Sequence, residues 1–171
     1  MVLEIVKYTL PAFIVFLTAY LMLSKLINNE DRRRKIEAVL NNQKVITPIR
    51  LQAYERMILM LECISPQSLV LRSQKPKMTN QQLQSALLKN IRSEFEHNMA
   101  HQLYISDKAW ELIKVAKENL LKLINQNAIG LKPSDPAINL SKYILEKMLQ
   151  EDKDPTQKAI LYLKSEIREL F

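Results

Sequence analysis

The twelve residues SEFEHNMAHQLY, 93–104, hold both histidines of the chain. Wound as an α-helix at about 100° per residue, Glu94, His97 and His101 fall within about 60° of one another. A carboxylate and two imidazoles grouped in that way form the donor set of a divalent-metal site, because zinc accepts nitrogen and oxygen ligands. The carboxylate lies outside the histidine pair, so the spacing is not that of the metalloprotease helix. A di-iron bundle needs a Glu-x-x-His pair on each of two helices, which two histidines four positions apart in one segment cannot supply. The plainer reading is that Glu94 and His97 make ordinary polar contacts between helices. On that reading no metal and no other cofactor is expected, and the metal site is kept as the alternative.

Other chemistry is narrowed by single counts. Gly130 is the only glycine. Phosphate-cradling loops and dinucleotide-binding turns need several glycines where backbone approaches an anion, and a nucleophile elbow needs two around its serine. Cys63 is the only cysteine, so neither an intramolecular disulfide nor a zinc site built on paired cysteines is possible. No catalytic constellation is left, and the chain is read as a non-enzyme.

The elements that would position the Glu-His face are helices. Thr47-Pro48, Ser65-Pro66, Asp135-Pro136 and Asp154-Pro155 each place a cap acceptor before a proline suited to a first helical position. Thr79 with Gln82 spells a capping box, and Ser106 or Asp107 opens another helix. Gly130 follows a long periodic run, where a left-handed helix terminator belongs. Between these signals apolar residues recur at helical spacing, predicting helices over 48–64, 80–104, 107–129, 136–150 and 155–171. MILML at 57–61 is apolar most of the way round, so the first of these is expected to be central. Its flanking charges, Glu55, Arg56 and Glu62, are expected to pair with Arg92 or His97 across the bundle. The segment RSQKPKM, 72–78, reads as a basic, mobile loop. No alternating strand pattern appears, so the domain is all-α.

The first 27 residues read differently. From Tyr8 to Ser24 no residue is charged, and Lys7 and Lys25 bound the run. A core helix would show a polar face. An export signal would carry its positive charge before the apolar stretch and a small-residue cleavage site after it. The run is therefore expected to be a single transmembrane helix at about 9–27, with lysine heads extended to the interface. Cationic flanks stay in the cytoplasm. Lys25, Arg32, Arg33, Arg34 and Lys35 follow the run, so the amino terminus is expected outside and the rest inside, at the inner membrane.

Charge is uneven along the chain. Residues 25–92 carry 13 Lys and Arg against 5 Asp and Glu, whereas residues 93–171 carry 11 against 12. Cations next to a bilayer are drawn to anionic lipid headgroups at about 1 kcal/mol each. That accounts for the net charge of +7 better than nucleic acid does, because no aromatic residues interleave with the cations.

The stretches RLQAYERMILMLE, EFEHNMAHQLY and AWELI, with the apolar run followed by arginines, resemble a family of small single-span proteins of Bacteroidota with no assigned activity. The resemblance covers nearly the whole chain. It implies the same architecture and inner-membrane placement, and supplies no catalytic residue or named partner.

The resulting expectation is an N-terminal segment, 1–27, holding the transmembrane helix; a basic juxtamembrane stalk, 28–45; and a cytoplasmic bundle of about five helices, 46–171. The expected role is an interaction module, a scaffold or accessory subunit that binds a protein partner or self-associates at the bilayer. The first alternative is a metal-binding sensor or enzyme using Glu94, His97 and His101. The second is a membrane-tethered nucleic-acid binder using the basic stalk.

Overall fold

The computed structural model describes residues 2–151 and 154–170. Side chains of 2–15, 19, 21, 26–29, 31, 32, 35, 36, 38, 39, 42, 150 and 151 lie outside the described set. Every named element is helical. The order is α1 (Val2–Ile64), α2 (Pro66–Ser73), α3 (Asn80–Asn98), a 3-10 helix (Met99–Tyr104), α4 (Asp107–Ala128), α5 (Ile138–Glu151) and α6 (Gln157–Leu170). The chain divides into two compact units, Met1–Thr47 and Pro48–Phe171.

One expectation for the amino-terminal part is corrected. Among the described residues no helix is long and apolar enough to cross a membrane, so the span at about 9–27 is withdrawn. Its uncharged run has 17 residues. At about 1.5 Å per residue it reaches about 25 Å, short of a hydrocarbon core of about 30 Å. Most side chains of that run lie outside the described residues; those of Phe16, Leu17, Tyr20, Met22 and Leu23 are exposed. The orientation read from the flanking charges depended on that span. Residues 28–45, read as a basic stalk, lie within α1, which runs from Val2 to Ile64. Thr47-Pro48 does not open a helix. A proline ring suits helical φ and lacks only the N–H, so the helix passes through it one backbone bond poorer.

The unit 48–171 has a single apolar core. Ala53, Tyr54, Met57, Met60, Leu61 and Ile64 of α1 are buried at spacings of three and four, the pattern of one face of a helix. Leu59 is exposed, so MILML presents an outer side to solvent. Leu83, Leu87, Ile91 and Phe95 of α3 meet Ile113, Ala116, Leu120 and Ile124 of α4 in the same cluster. Helix α4 packs on α3, α5 and α6. Phe95 stacks on Trp110 with ring centroids 5.1 Å apart and planes at 23°, and the Lys117 ammonium sits 4.5 Å from the Phe95 centroid.

Caps fix several helix starts. The Thr79 hydroxyl accepts the Gln82 N–H at 3.3 Å while the Gln82 side chain accepts the Thr79 N–H at 3.1 Å. The Ser106 hydroxyl accepts the Ala109 N–H at 3.1 Å. Ser65 behaves otherwise: its hydroxyl donates to the Glu62 carbonyl at 2.8 Å. Asp154 accepts both the N–H and the hydroxyl of Thr156, at 2.8 and 2.7 Å. That local turn postpones α6 to Gln157. Gly130 does not take the left-handed conformation; Lys77 does, at φ 63°.

Candidate functional site

The structure places Glu94 and His97 on α3 and His101 on the 3-10 turn that follows it. Helix α3 ends at Asn98, whose side-chain amide donates to the Glu94 carbonyl at 2.8 Å, and the chain then tightens into the 3-10 turn Met99–Tyr104. Three residues per turn instead of 3.6 rotate His101 by about 60° relative to a continued α-helix. Glu94 points its carboxylate to Arg72, 3.8 Å away, and His97 Nδ1 lies 3.3 Å from the Ser93 hydroxyl. Among the described residues no three of His, Cys, Asp and Glu are grouped to hold a metal. Arg72 on α2, which also donates to the Cys63 carbonyl at 2.7 Å, is thus the partner of Glu94. The expected pairs to Arg92 or His97 do not occur among the described residues.

The basic cluster is partly spent along its own helix. Arg33 pairs with Glu37 at 3.1 Å and Arg34 with Glu30 at 3.6 Å, each one turn away. Lys25 is exposed. The side chains of Arg32 and Lys35 lie outside the described residues.

A groove that sequence reasoning missed forms where α2 ends and α5 begins. Its volume is about 440 Å³, and Leu71, Lys75, Pro76, Lys77, Met78 and Ile138 are among its walls. Two loops far apart in sequence build it, and Asn80 ties them together. Asn80 is 4% exposed. Its N–H donates to the Asp135 carbonyl at 2.8 Å, and its side-chain amide donates to the Lys132 carbonyl at 2.9 Å. Its side-chain oxygen accepts the Leu140 N–H at 3.2 Å. The Met78 carbonyl accepts the Ala137 N–H at 2.9 Å, closing an antiparallel bridge between Thr79 and Pro136. The Ser141 hydroxyl donates to Gln74 at 2.6 Å. The segment 72–78 is therefore pinned, not a free loop. Leu71 and Ile138 remain 71% and 58% exposed at the groove. One signal was available: Lys75-Pro76 and Lys132-Pro133 repeat the same dipeptide in the two paired loops.

A second groove, about 540 Å³, runs between α4 and the start of α6 and is walled by Leu112, Val115, Leu123, Lys122 and Lys158.

Inside the bundle, the Tyr54 hydroxyl and one oxygen of Glu166 are buried without completing a hydrogen bond to any described residue. Burial pushes the Tyr54 phenol above its ordinary pKa, and the negative Glu166 carboxylate raises it further, against the lowering influence of Arg50 and the Ser106 backbone. Arg50 is itself engaged, donating to the Tyr104 carbonyl at 3.2 Å.

With this geometry in view, comparison places the chain. The sequence model of a family of unknown function, DUF7935, matches residues 1–170. The chain belongs to that family. The match agrees with the resemblance read from the sequence in that no activity attaches to it, and DUF7935 membership brings no catalytic residue with which to reread the Glu-His face or the groove. Neither a curated protein nor a solved structure matches the chain.

Proposed function

We propose that this DUF7935 chain is a non-catalytic interaction module, a helical scaffold or accessory subunit whose 48–171 unit binds a protein partner. The observation that carries this reading is the placement of large apolar side chains. A unit able to bury Tyr54, Leu83, Leu120 and Ile160 almost completely leaves Leu71, Leu103 and Ile138 at 71%, 78% and 58% exposure. Scattered apolar residues are ordinary on a surface, but two of these share one concave groove, which is how binding surfaces present anchors. The scarcity of glycine points the same way, since backbone-lined anion sites cannot be written with Gly130 alone.

The test is photo-crosslinking of the full chain in its own cells, with the reactive group placed in turn at Leu71, Leu103, Ile129 and Ile138. The expected result is one partner, or a second copy, captured reproducibly from a contiguous subset of these positions. A chain that sediments as a monomer and yields no crosslink at any of them overturns the reading.

A further inference from the structure

We propose that the groove between α2 and α5 binds a short acidic peptide segment whose large apolar side chain enters between Lys75 and Lys77. This rests on the interaction-module reading and gives it a site and a partner chemistry. The apolar part of the lining comes from the exposed Leu71 and Ile138 and from Met78, with Pro76 and Pro136 beside them and Gln74 as a polar neighbour. About 440 Å³ lies at the small end of ligand sites, enough for one or two bulky side chains.

Charge chooses the partner. Lys75 and Lys77 are exposed at the groove, and among the described residues neither has an ion-pair partner. Their neighbours are engaged: Arg72 with Glu94 at 3.8 Å and Lys142 on α5 with Glu146 at 3.6 Å. Two unspent cations beside these apolar residues complement carboxylates flanking an apolar anchor. A simple inorganic anion would leave the apolar lining unused. A single-stranded nucleic acid would want aromatic stacking surfaces, and no aromatic residue lines this groove.

The backbone supports a built site. Lys77 holds a left-handed conformation at φ 63°, which for a long side chain is costly and persists only where the surroundings impose it. The hydrogen bonds of Asn80 and the bridge at Thr79 and Pro136 supply that constraint. A groove formed in advance spends little ordering entropy when it binds.

The experiment uses the full chain and the fluorescein-labelled peptide EDLFDE, with EDSSDE and KKLFKK as comparisons, read by fluorescence anisotropy. EDLFDE is expected to bind, and EDSSDE and KKLFKK to bind at least about tenfold more weakly. The double variant Lys75→Glu with Lys77→Glu, and separately Ile138→Ser, are expected to weaken EDLFDE about tenfold or more while leaving the circular dichroism spectrum unchanged. Lys77→Gly, which keeps the left-handed turn but removes the charge, is expected to lose part of the binding. No saturable binding of EDLFDE, or binding indifferent to these substitutions, overturns the proposal. So does preferential binding of phosphatidylglycerol vesicles through the same lysines. Crosslinks to a partner from Leu103 or Ile129 but never from Leu71 or Ile138 would remove this groove and leave the interaction-module reading standing.

Discussion

The side-chain oxygen of Asn80 accepts the backbone N–H of Leu140 at 3.2 Å, across 60 positions of sequence. Together with the 2.9 Å bond from its amide to the Lys132 carbonyl, this contact makes one buried side chain answerable for the conformation of two loops. Asn80→Ala strands a donor and an acceptor in a site only 4% exposed. The expected cost is about 2–4 kcal/mol, because each buried group left unpaired costs about 1–3 kcal/mol. Urea denaturation of the 48–171 transition measures it, and a midpoint unchanged from wild type would contradict the role given to Asn80.

Tyr54 presents the opposite case. Its side chain is fully buried; Glu166, Arg50 and the Ser106 backbone lie near enough to influence its hydroxyl, but none meets it in good hydrogen-bond geometry. Tyr54→Phe is therefore expected to change stability by no more than about 1 kcal/mol. The pH dependence has a definite sign. Burial and the Glu166 carboxylate raise the folded-state pKa above the ordinary 10.0, so above about pH 10 the unfolded chain loses this proton first and stability falls. Thermal unfolding between pH 7 and 11 should show a smaller alkaline loss in Tyr54→Phe than in wild type; a larger one would reverse the assignment.

Phe95 and Trp110 stack at 5.1 Å, and Trp110 is the only tryptophan. Its emission therefore reports on this contact directly. Phe95→Ala is expected to destabilise the chain by about 3–5 kcal/mol, as for a large aromatic removed from a core, and to shift the emission to longer wavelength. Phe95→Leu should do less of both. An unshifted spectrum in the alanine variant would show that the stack does not shield the indole.

The metal alternative has an equally direct check. Because no three of His, Cys, Asp and Glu are grouped to hold a metal among the described residues, added zinc is expected neither to bind stoichiometrically nor to raise the unfolding temperature. His97→Ala should behave like wild type in both measurements. Tight one-to-one zinc uptake lost in His97→Ala would restore the metal reading.

What the sequence made legible was local chemistry. The capping box of Thr79 and Gln82 and the Ser106 cap follow from side chains meeting backbone within three residues, and both stand in the structure. Apolar spacing likewise predicted the buried faces of α3 and α4. Proline misled at residue 48, because the ring that favours a helix start is also tolerated within a helix that has other support. The 3-10 turn was hidden, since Asn98 bonding back to Glu94 competes with helix continuation in a way periodicity does not register. The groove was hidden for a different reason: its walls come from loops joined by Asn80 over long separation, and a polar residue at a helix start reads as a cap, not as a clasp.

The joining of residues 78–81 to residues 132–140 has a topological corollary. The intervening chain, including α3 and α4, is a ring shut by non-covalent bonds near its base. A protease nick in the 3-10 turn Met99–Tyr104 would then leave two fragments still held together by these contacts rather than released. Separately expressed pieces divided at that turn should reassemble when mixed.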